Sequence, residues 1–347
     1  SAIIFPQEPT KSDHISRAVL IFHEAAHQWF GDTVTMKWFD DLWLKEGFAN
    51  FMVYKAVDKI MPDANAWKVF YERIKQPAYA TDSTRGTTPI YQPIENLNSA
   101  KSAYGNIVYN KAPAFLKQAE FYLGQDKFQT AVRAFLKKHD YKNATWEDLV
   151  KEFALVTVIE RKSGKYYESL NATDKLDYEV FENQQIEKWA EIWVTTAGLP
   201  KVRTLEKILT SKYKPSWSIN SVTETSDGFV PDNFIQVASL GGNAEWKQDI
   251  EVVKAFSNGD RESEKAILGL RRGHLAKTSG NNYWDAPGRF DDTIPDADKK
   301  ETRQSTFVLS NYQDYGYGIF LLDDKSREYV LKNVQNEKDA FLRSMMY

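Results

Sequence analysis

The chain has 347 residues, 42% of them hydrophobic and 27% charged, with a formal net charge of −3 and a pI near 6.0. That length can bury at least one large core and makes two domains the natural expectation, while the mild acidity excludes a global field for nucleic acid or acidic lipid. Cysteine is absent, which excludes a disulfide framework, a thiolate metal site and a cysteine nucleophile without choosing a compartment.

In chain order, "SAIIFPQEPT" is a strand-like apolar start with neither the charged region nor the cleavage site of a signal peptide. It also lacks an initiator methionine, so the chain reads as an internal piece of a longer protein and its localisation is unknown. No apolar run approaches the roughly 18–20 residues of a membrane span. A helix is expected over 16–30, with Gly31 as its left-handed stop and Leu20, Ile21 and Phe22 helping to bury it. Asp40 and Asp41 offer a cap and first-turn charge for a second helix over 42–61. Pro62 and Asp63 punctuate before "AWKVFYERI", Gly124 stops "AFLKQAEFYL", and Thr145 with Asp148 forms a capping-box pattern ahead of "DLVKEFALV". "IEKWAEIWVTTAGLP" ends a helix on Gly198 and Pro200.

Beyond Pro200, strand-like runs ("WSINSV", "FIQVASL", "TFVLSNY", "YGIFLL") alternate with turn-rich stretches such as "SGNNYWDAPGRFDD". The fold class is therefore α+β: a mostly helical unit over 1–200, a small antiparallel β unit over 201–325, and a helical segment over 326–347.

The chemistry concentrates in "LIFHEAAHQWFGD", residues 20–32. On a helix, residues four apart lie one turn above each other on the same face, so His23 and His27 can aim two imidazoles at one point. Glu24 lies about 100° further round, beside that point but outside the ligand pair. H-E-x-x-H on a helix is the zinc-peptidase pattern, with the glutamate as general base; the bland alternative is a pair of satisfied core histidines. A catalytic zinc needs a third protein ligand and an open fourth position. "WLKEGFANF" supplies Glu46, with eighteen residues between it and His27, on a second helix that can fold back against the first. Gly47 beside it costs about 1 kcal/mol in a helix against alanine, a cost consistent with close packing there. Asp32, Asp40, Asp41 and Asn50, the last one turn past Glu46, are nearby candidates to hold the histidine rings, against the plain reading of caps or solvated residues. His14, His139 and His274 have no partner at ligand spacing and read as surface residues.

"HEAAHQWFGDTVTMKWFDDLWLKEGFANF" resembles the gluzincin zinc aminopeptidases, the family of aminopeptidase N and the leukotriene-hydrolase aminopeptidase. "WAEIWVTTAGLP" resembles the end of that family's thermolysin-like domain, and "YGYGIFLLDDKSREYVLKNV" its small β-sandwich and the exit towards a C-terminal helical domain. The resemblance implies a thermolysin-like catalytic domain lacking the N-terminal part of its sheet, followed by the β-sandwich, with exposed apolar surface where the sheet would pack. It implies one Zn2+ per chain held by His23, His27 and Glu46, Glu24 as general base, and peptides as substrates. It further implies an oxyanion-stabilising tyrosine at a helix head in a Y-x-K-G context. Tyr109 in "NIVYNKAPAF" matches, although Ala112 replaces the glycine and Pro113 follows; Tyr104 is the rival.

The family's amine-gripping G-x-M-E-N motif does not occur in the chain, so the activity of this piece alone is open. Three functions are in play: an aminopeptidase, a thermolysin-like endopeptidase with the same metal chemistry, and a non-catalytic scaffold. Eighteen intervening residues and the E-G-F-A context favour the first, and retention of all three ligands and Glu24 argues against the third. The polar segment 76–105 borders the cleft in this reading, with Tyr79, Arg85 and Tyr91 as substrate-contact candidates against the plain alternative of a connecting loop. Oligomeric state is not legible.

Overall fold

The computed structural model describes residues 3–162, 164–207, 234–239, 248–268 and 305–347. Up to residue 195 the chain is almost entirely helical. Its α-helices are α1 (Lys11–His27), α2 (Glu46–Ile60), α3 (Ala66–Val69), α4 (Gln76–Asp82), α5 (Leu97–Ala103), α6 (Ala112–Leu123), α7 (Gln125–Lys138), α8 (Trp146–Lys162), α9 (Lys165–Ser169) and α10 (Ala172–Thr195). Two short strands, β1 (Val34–Met36) and β2 (Lys142–Ala144), pair in parallel.

α1 starts earlier than the sequence pattern implies. Thr10 and Asp13 close a reciprocal capping box ahead of Lys11, and the helix ends at His27, three residues short of Phe30. Gly31, at φ +129°, takes the turn into β1. The buried stripe follows the helical period: Ile15, Val19 and Phe22 pack on the core and Ala26 is buried. Ile21 points away and is 47% exposed, contrary to its expected burial.

Asp40 and Asp41 do not cap α2. They lie in a 3-10 turn over Phe39–Leu44, and α2 begins at Glu46 without a side-chain cap. Asp40 instead accepts hydrogen bonds from the Ile94 N–H and the Tyr91 hydroxyl, tying residues 91–94 to this turn. Asp41 is buried, and its Oδ1 has no hydrogen-bond partner. Burial, then the nearby charge of Glu147, pushes its carboxyl up to about 7. Because the folded value exceeds the unfolded one, this group's contribution to stability is fully present below about pH 4 and is lost as pH rises through 7. D41N is therefore expected to be neutral at pH 4 and stabilising at pH 8, on the order of 2–4 kcal/mol, read as denaturation midpoints at the two pH values.

The other signals fall as expected locally. The Thr145 N–H and hydroxyl donate to Asp148 at the start of α8, and Gly124, at φ +87°, ends α6. "AWKVFYERI" divides into α3 and a π-helical turn over Phe70–Lys75. One large core joins the 3-10 turn to α2, α6, α8 and α10 through Trp43, Phe48, Phe115, Phe153 and Trp193, all fully buried.

From Lys201 the chain forms strands: β3 (Lys201–Lys207), β4 (Phe234–Ser239), β5 (Gln248–Phe256), β6 (Arg261–Leu268), β7 (Ser305–Ser310) and β8 (Ile319–Leu321). They make two three-stranded sheets, ordered β4-β3-β8 and β6-β5-β7. Three of the four strand pairings in these sheets are antiparallel as expected, and one departs: β3 and β8 pair in parallel, Val202 opposite Phe320. Val202, Ile250, Val252 and Val308, with Phe320, fill the space between the sheets. Val253, Ala255, Phe307 and Leu309 point the other way, as the two-residue strand period requires, towards Val330, Leu342 and Met346. "WSINSV", the "SGNNYWDAPGRFDD" turn and His274 lie outside the described residues.

The expected single terminal helix is two: α11 (Asp324–Asn333) and α12 (Ala340–Met345). Asp323 caps the first and Asp339 the second, so the chain is punctuated where the apolar pattern alone runs on.

Buried charges join the strands to the helices. Lys75 Nζ lies 2.7 Å from Asp314 Oδ1 and 2.6 Å from the Gly316 carbonyl, and Lys117 Nζ lies 2.7 Å from the Gln313 carbonyl. Burial pushes the Lys117 ammonium down to about 7. A second buried pair, Lys111 Nζ and Asp82 Oδ2 at 2.8 Å, sits where the Tyr317 hydroxyl also donates to Asp82 at 2.8 Å.

Candidate metal centre

The end of α1 and the start of α2 meet at one point. His23 Nε2 and His27 Nε2 are 3.0 Å apart, and Glu46 Oε2 lies 3.3 Å from the first and 3.4 Å from the second. Among the described residues these three form a group whose potential metal-binding atoms all lie within 4.8 Å of one another. Glu46 is buried, at 4% exposure, whereas both histidine side chains keep slight access to solvent.

The rings are oriented from behind. His27 Nδ1 lies 3.0 Å from the Phe30 carbonyl, which can only accept, so Nδ1 carries the proton. His23 Nδ1 lies 2.9 Å from Asn50 Oδ1. In neutral rings held this way both Nε2 lone pairs face Glu46. Two imidazole nitrogens and a carboxylate oxygen converging from two helices make a donor set of the kind Zn2+ takes, and the residues fit that ion.

The electrostatics follow from this crowding. Where a ring takes up a second proton its Nε2–H donates to Glu46 instead, and that hydrogen bond pushes His27 up, outweighing the opposing effect of burial. Burial would raise the Glu46 carboxyl, but hydrogen bonds from His23 and His27 and the charges of His27 and Lys45 hold it well below the usual carboxylate range. Glu24 is exposed on the next position of α1, beside the donor set rather than in it.

Tyr109 belongs to the same neighbourhood. Its ring centroid is 6.2 Å from that of His23, and burial, followed by the charge of Glu46 and a hydrogen bond to it, pushes its phenol up. Tyr104 lies 6.3 Å from Tyr109, ring to ring, and is 43% exposed. Tyr109 sits in a π-helical turn, Ile107–Lys111, that leads into α6. Asn50 Nδ2 donates to the Tyr109 carbonyl at 2.7 Å, a link from α2 to this turn that the sequence reading missed. Pro113 was a partial signal, because a proline removes one N–H from the helical ladder and so marks an irregularity near this turn.

Gly47 explains how the turn approaches so closely. A Cβ there would stand 2.7 Å from Ala112 Cβ and 3.0 Å from the Val108 carbonyl oxygen. Neither neighbour is a flexible side-chain end, so G47A is expected to destabilise by about 1–3 kcal/mol through overpacking. Its displacement of the turn from Glu46 should also lower turnover, measured against thermal midpoint in the same preparation.

Other candidates fall elsewhere. Asp32 makes no side-chain contact with either ring among the described hydrogen bonds, and Asp40 and Asp41 serve the turn described above. His14 is exposed beside Arg17. His139 is half-buried against Phe135, with Nε2 lacking a partner, which corrects its reading as a surface residue. Tyr79 packs against Tyr317 with centroids 4.8 Å apart, a strand-unit contact rather than an open cleft position.

Residues 1–170 match the peptidase family M1 domain. The chain is 32% identical over 239 residues to the tricorn protease-interacting factor F2 of Thermoplasma volcanium, covering 68% of this chain and 25% of that protein. It is 40% identical over 132 residues to a leucyl aminopeptidase of Saccharolobus solfataricus, covering 38% of this chain and 17% of the relative. Over 167 residues it is 36% identical to aminopeptidase M1-D of Oryza sativa subsp. japonica, covering 48% and 18% respectively. Residues 1–170 thus belong to peptidase family M1, a family of zinc peptidases. It spans 17–25% of the length of these three relatives. No helix among the described residues is long and apolar enough to cross a membrane.

Proposed function

We propose that the chain carries the catalytic centre of a zinc-dependent aminopeptidase, cleaving N-terminal residues from peptides. The observation that carries this is the convergence of His23, His27 and Glu46 with Glu24 alongside. In the proposal the first three hold one Zn2+, with unit 1–200 as a thermolysin-like peptidase domain, 201–325 as a β-sandwich and 326–347 as the start of a helical region. A bound Zn2+ would supply a Lewis acid and make water a nucleophile near neutral pH.

The chain's own residues do the rest. Glu24 takes the proton from the attacking water and returns it to the departing amine. Tyr109 donates its phenolic proton in a hydrogen bond to the oxyanion that forms on the substrate carbonyl. Y109F is expected to lower kcat about a hundredfold with KM little changed. An unchanged kcat would move the role away from Tyr109, with Tyr104 next in line.

The deciding experiment measures bound zinc and then compares unblocked with N-acetylated peptides. About one zinc per chain and release of free amino acids only from unblocked peptides support the proposal. Internal cleavage of blocked peptides with equal efficiency favours an endopeptidase, and a folded chain that takes no zinc defeats the metal reading.

A further inference from the structure

We propose that Asn50 is a positioning residue that couples the orientation of His23 to the placement of the Tyr109 backbone. The inference rests on the zinc-peptidase reading above and adds to it how the two halves of the site are kept in register.

The coupling starts at the turn that carries Tyr109. The Ala112 N–H reaches the Ile107 carbonyl, five residues back, so the segment is wound as a π turn. The Tyr109 oxygen of this turn accepts from Asn50 Nδ2 at 2.7 Å.

That donation removes the ambiguity of the amide. Since Nδ2 faces a carbonyl, Oδ1 must face His23 Nδ1, 2.9 Å away, and can only accept there. His23 therefore keeps its proton on Nδ1 and turns the Nε2 lone pair towards His27 and Glu46. A carbonyl in one helix thereby sets the tautomer of a ring in another. A side-chain amide has both the acceptor and the donor needed, whereas a carboxylate lacks the donor and an aliphatic side chain lacks both.

The geometry of α2 permits this. Glu46, Gly47 and Asn50 lie within two turns of each other on that helix. Gly47 lets the π turn approach, with the Val108 oxygen 3.0 Å from where a Cβ would be, and Asn50, three positions on, meets the next carbonyl. One helix face thus presents the carboxylate of the donor set and the residue that holds both His23 and Tyr109.

The test uses the full chain, Zn2+ competed against a chelator, thermal midpoints, and kcat and KM on aminoacyl p-nitroanilides. N50L removes both hydrogen bonds and is expected to weaken zinc binding about 10–100-fold. N50D keeps the acceptor for His23 but loses the donor to Tyr109, so zinc affinity should stay within about threefold while kcat falls at least tenfold at unchanged KM. Native zinc binding in N50L, or native kcat in N50D, overturns the coupling. If the native chain binds zinc but has no turnover, the hydrolase reading of this chain fails, and zinc affinity alone decides the proposal.

Discussion

Replacing Glu24 by glutamine is expected to leave one zinc per chain and to lower kcat by about 10²–10⁴-fold, the usual contribution of a positioned general base. The expectation follows from where Glu24 stands. It follows His23 on α1, next to the donor set of His23, His27 and Glu46 but not part of it. Its side chain is exposed, so an amide of nearly the same shape costs little in packing. Glutamine keeps that shape and cannot accept a proton, so metal content and fold should survive while proton transfer is lost. The measurement pairs zinc analysis with steady-state kinetics on unblocked peptides. Hydrolysis at the native rate by E24Q would remove Glu24 as the base, and loss of zinc would mean that it helps to hold the metal.

Asp82→Ala is the change expected to damage the fold most, by about 3–5 kcal/mol, because it leaves a buried ammonium without its partner. Asp82 Oδ2 lies 2.8 Å from Lys111 Nζ and accepts the Tyr317 hydroxyl at 2.8 Å. Its Oδ1 accepts the Thr87 hydroxyl at 2.6 Å and the Gly198 N–H at 3.2 Å. One carboxylate thus joins the end of α4, the turn bearing Tyr109, the exit of α10 and the segment before β8. Burial pulls the Lys111 ammonium down, opposed by the charge of Asp82. Without Asp82 the lysine either loses its proton or draws water into the contact, and the strands loosen from the helices. Denaturant unfolding of D82A should show a lower midpoint; a midpoint within 0.5 kcal/mol of native, the scale of ordinary surface substitutions, would show the pair to be dispensable. D82A/K111M, which removes both charges, should recover much of the loss.

The two halves of the site differ in how well they could be read. His23, His27 and Glu46 were legible because helical spacing is a local property: four residues bring two rings to one face whatever surrounds them. The fold-back that delivers Glu46 was suggested by Gly31 and Gly47, and Gly47 indeed lies where the π turn leaves no space for a Cβ. Asp40 and Asp41 misled because a cap and a tertiary acceptor use the same side chain, and residues 91–94 and 146 claim these two. β5 escaped the alternation test because it is buried on both faces, between the other sheet and the terminal helices.

By itself the sequence determined the chemistry on offer: two imidazoles and a carboxylate at helical spacing, a second carboxylate beside them, and no thiol. It also determined the α+β character, because caps, glycines and apolar periods act within a few residues. Only the tertiary structure decided which ring nitrogens face inward, which tyrosine approaches Glu46, and how the strands are fastened to the helices. Those outcomes depend on groups distant in sequence, Asn50 with Tyr109 and Asp82 with Tyr317, whose hydrogen bonds form only once packing has brought them together and excluded water.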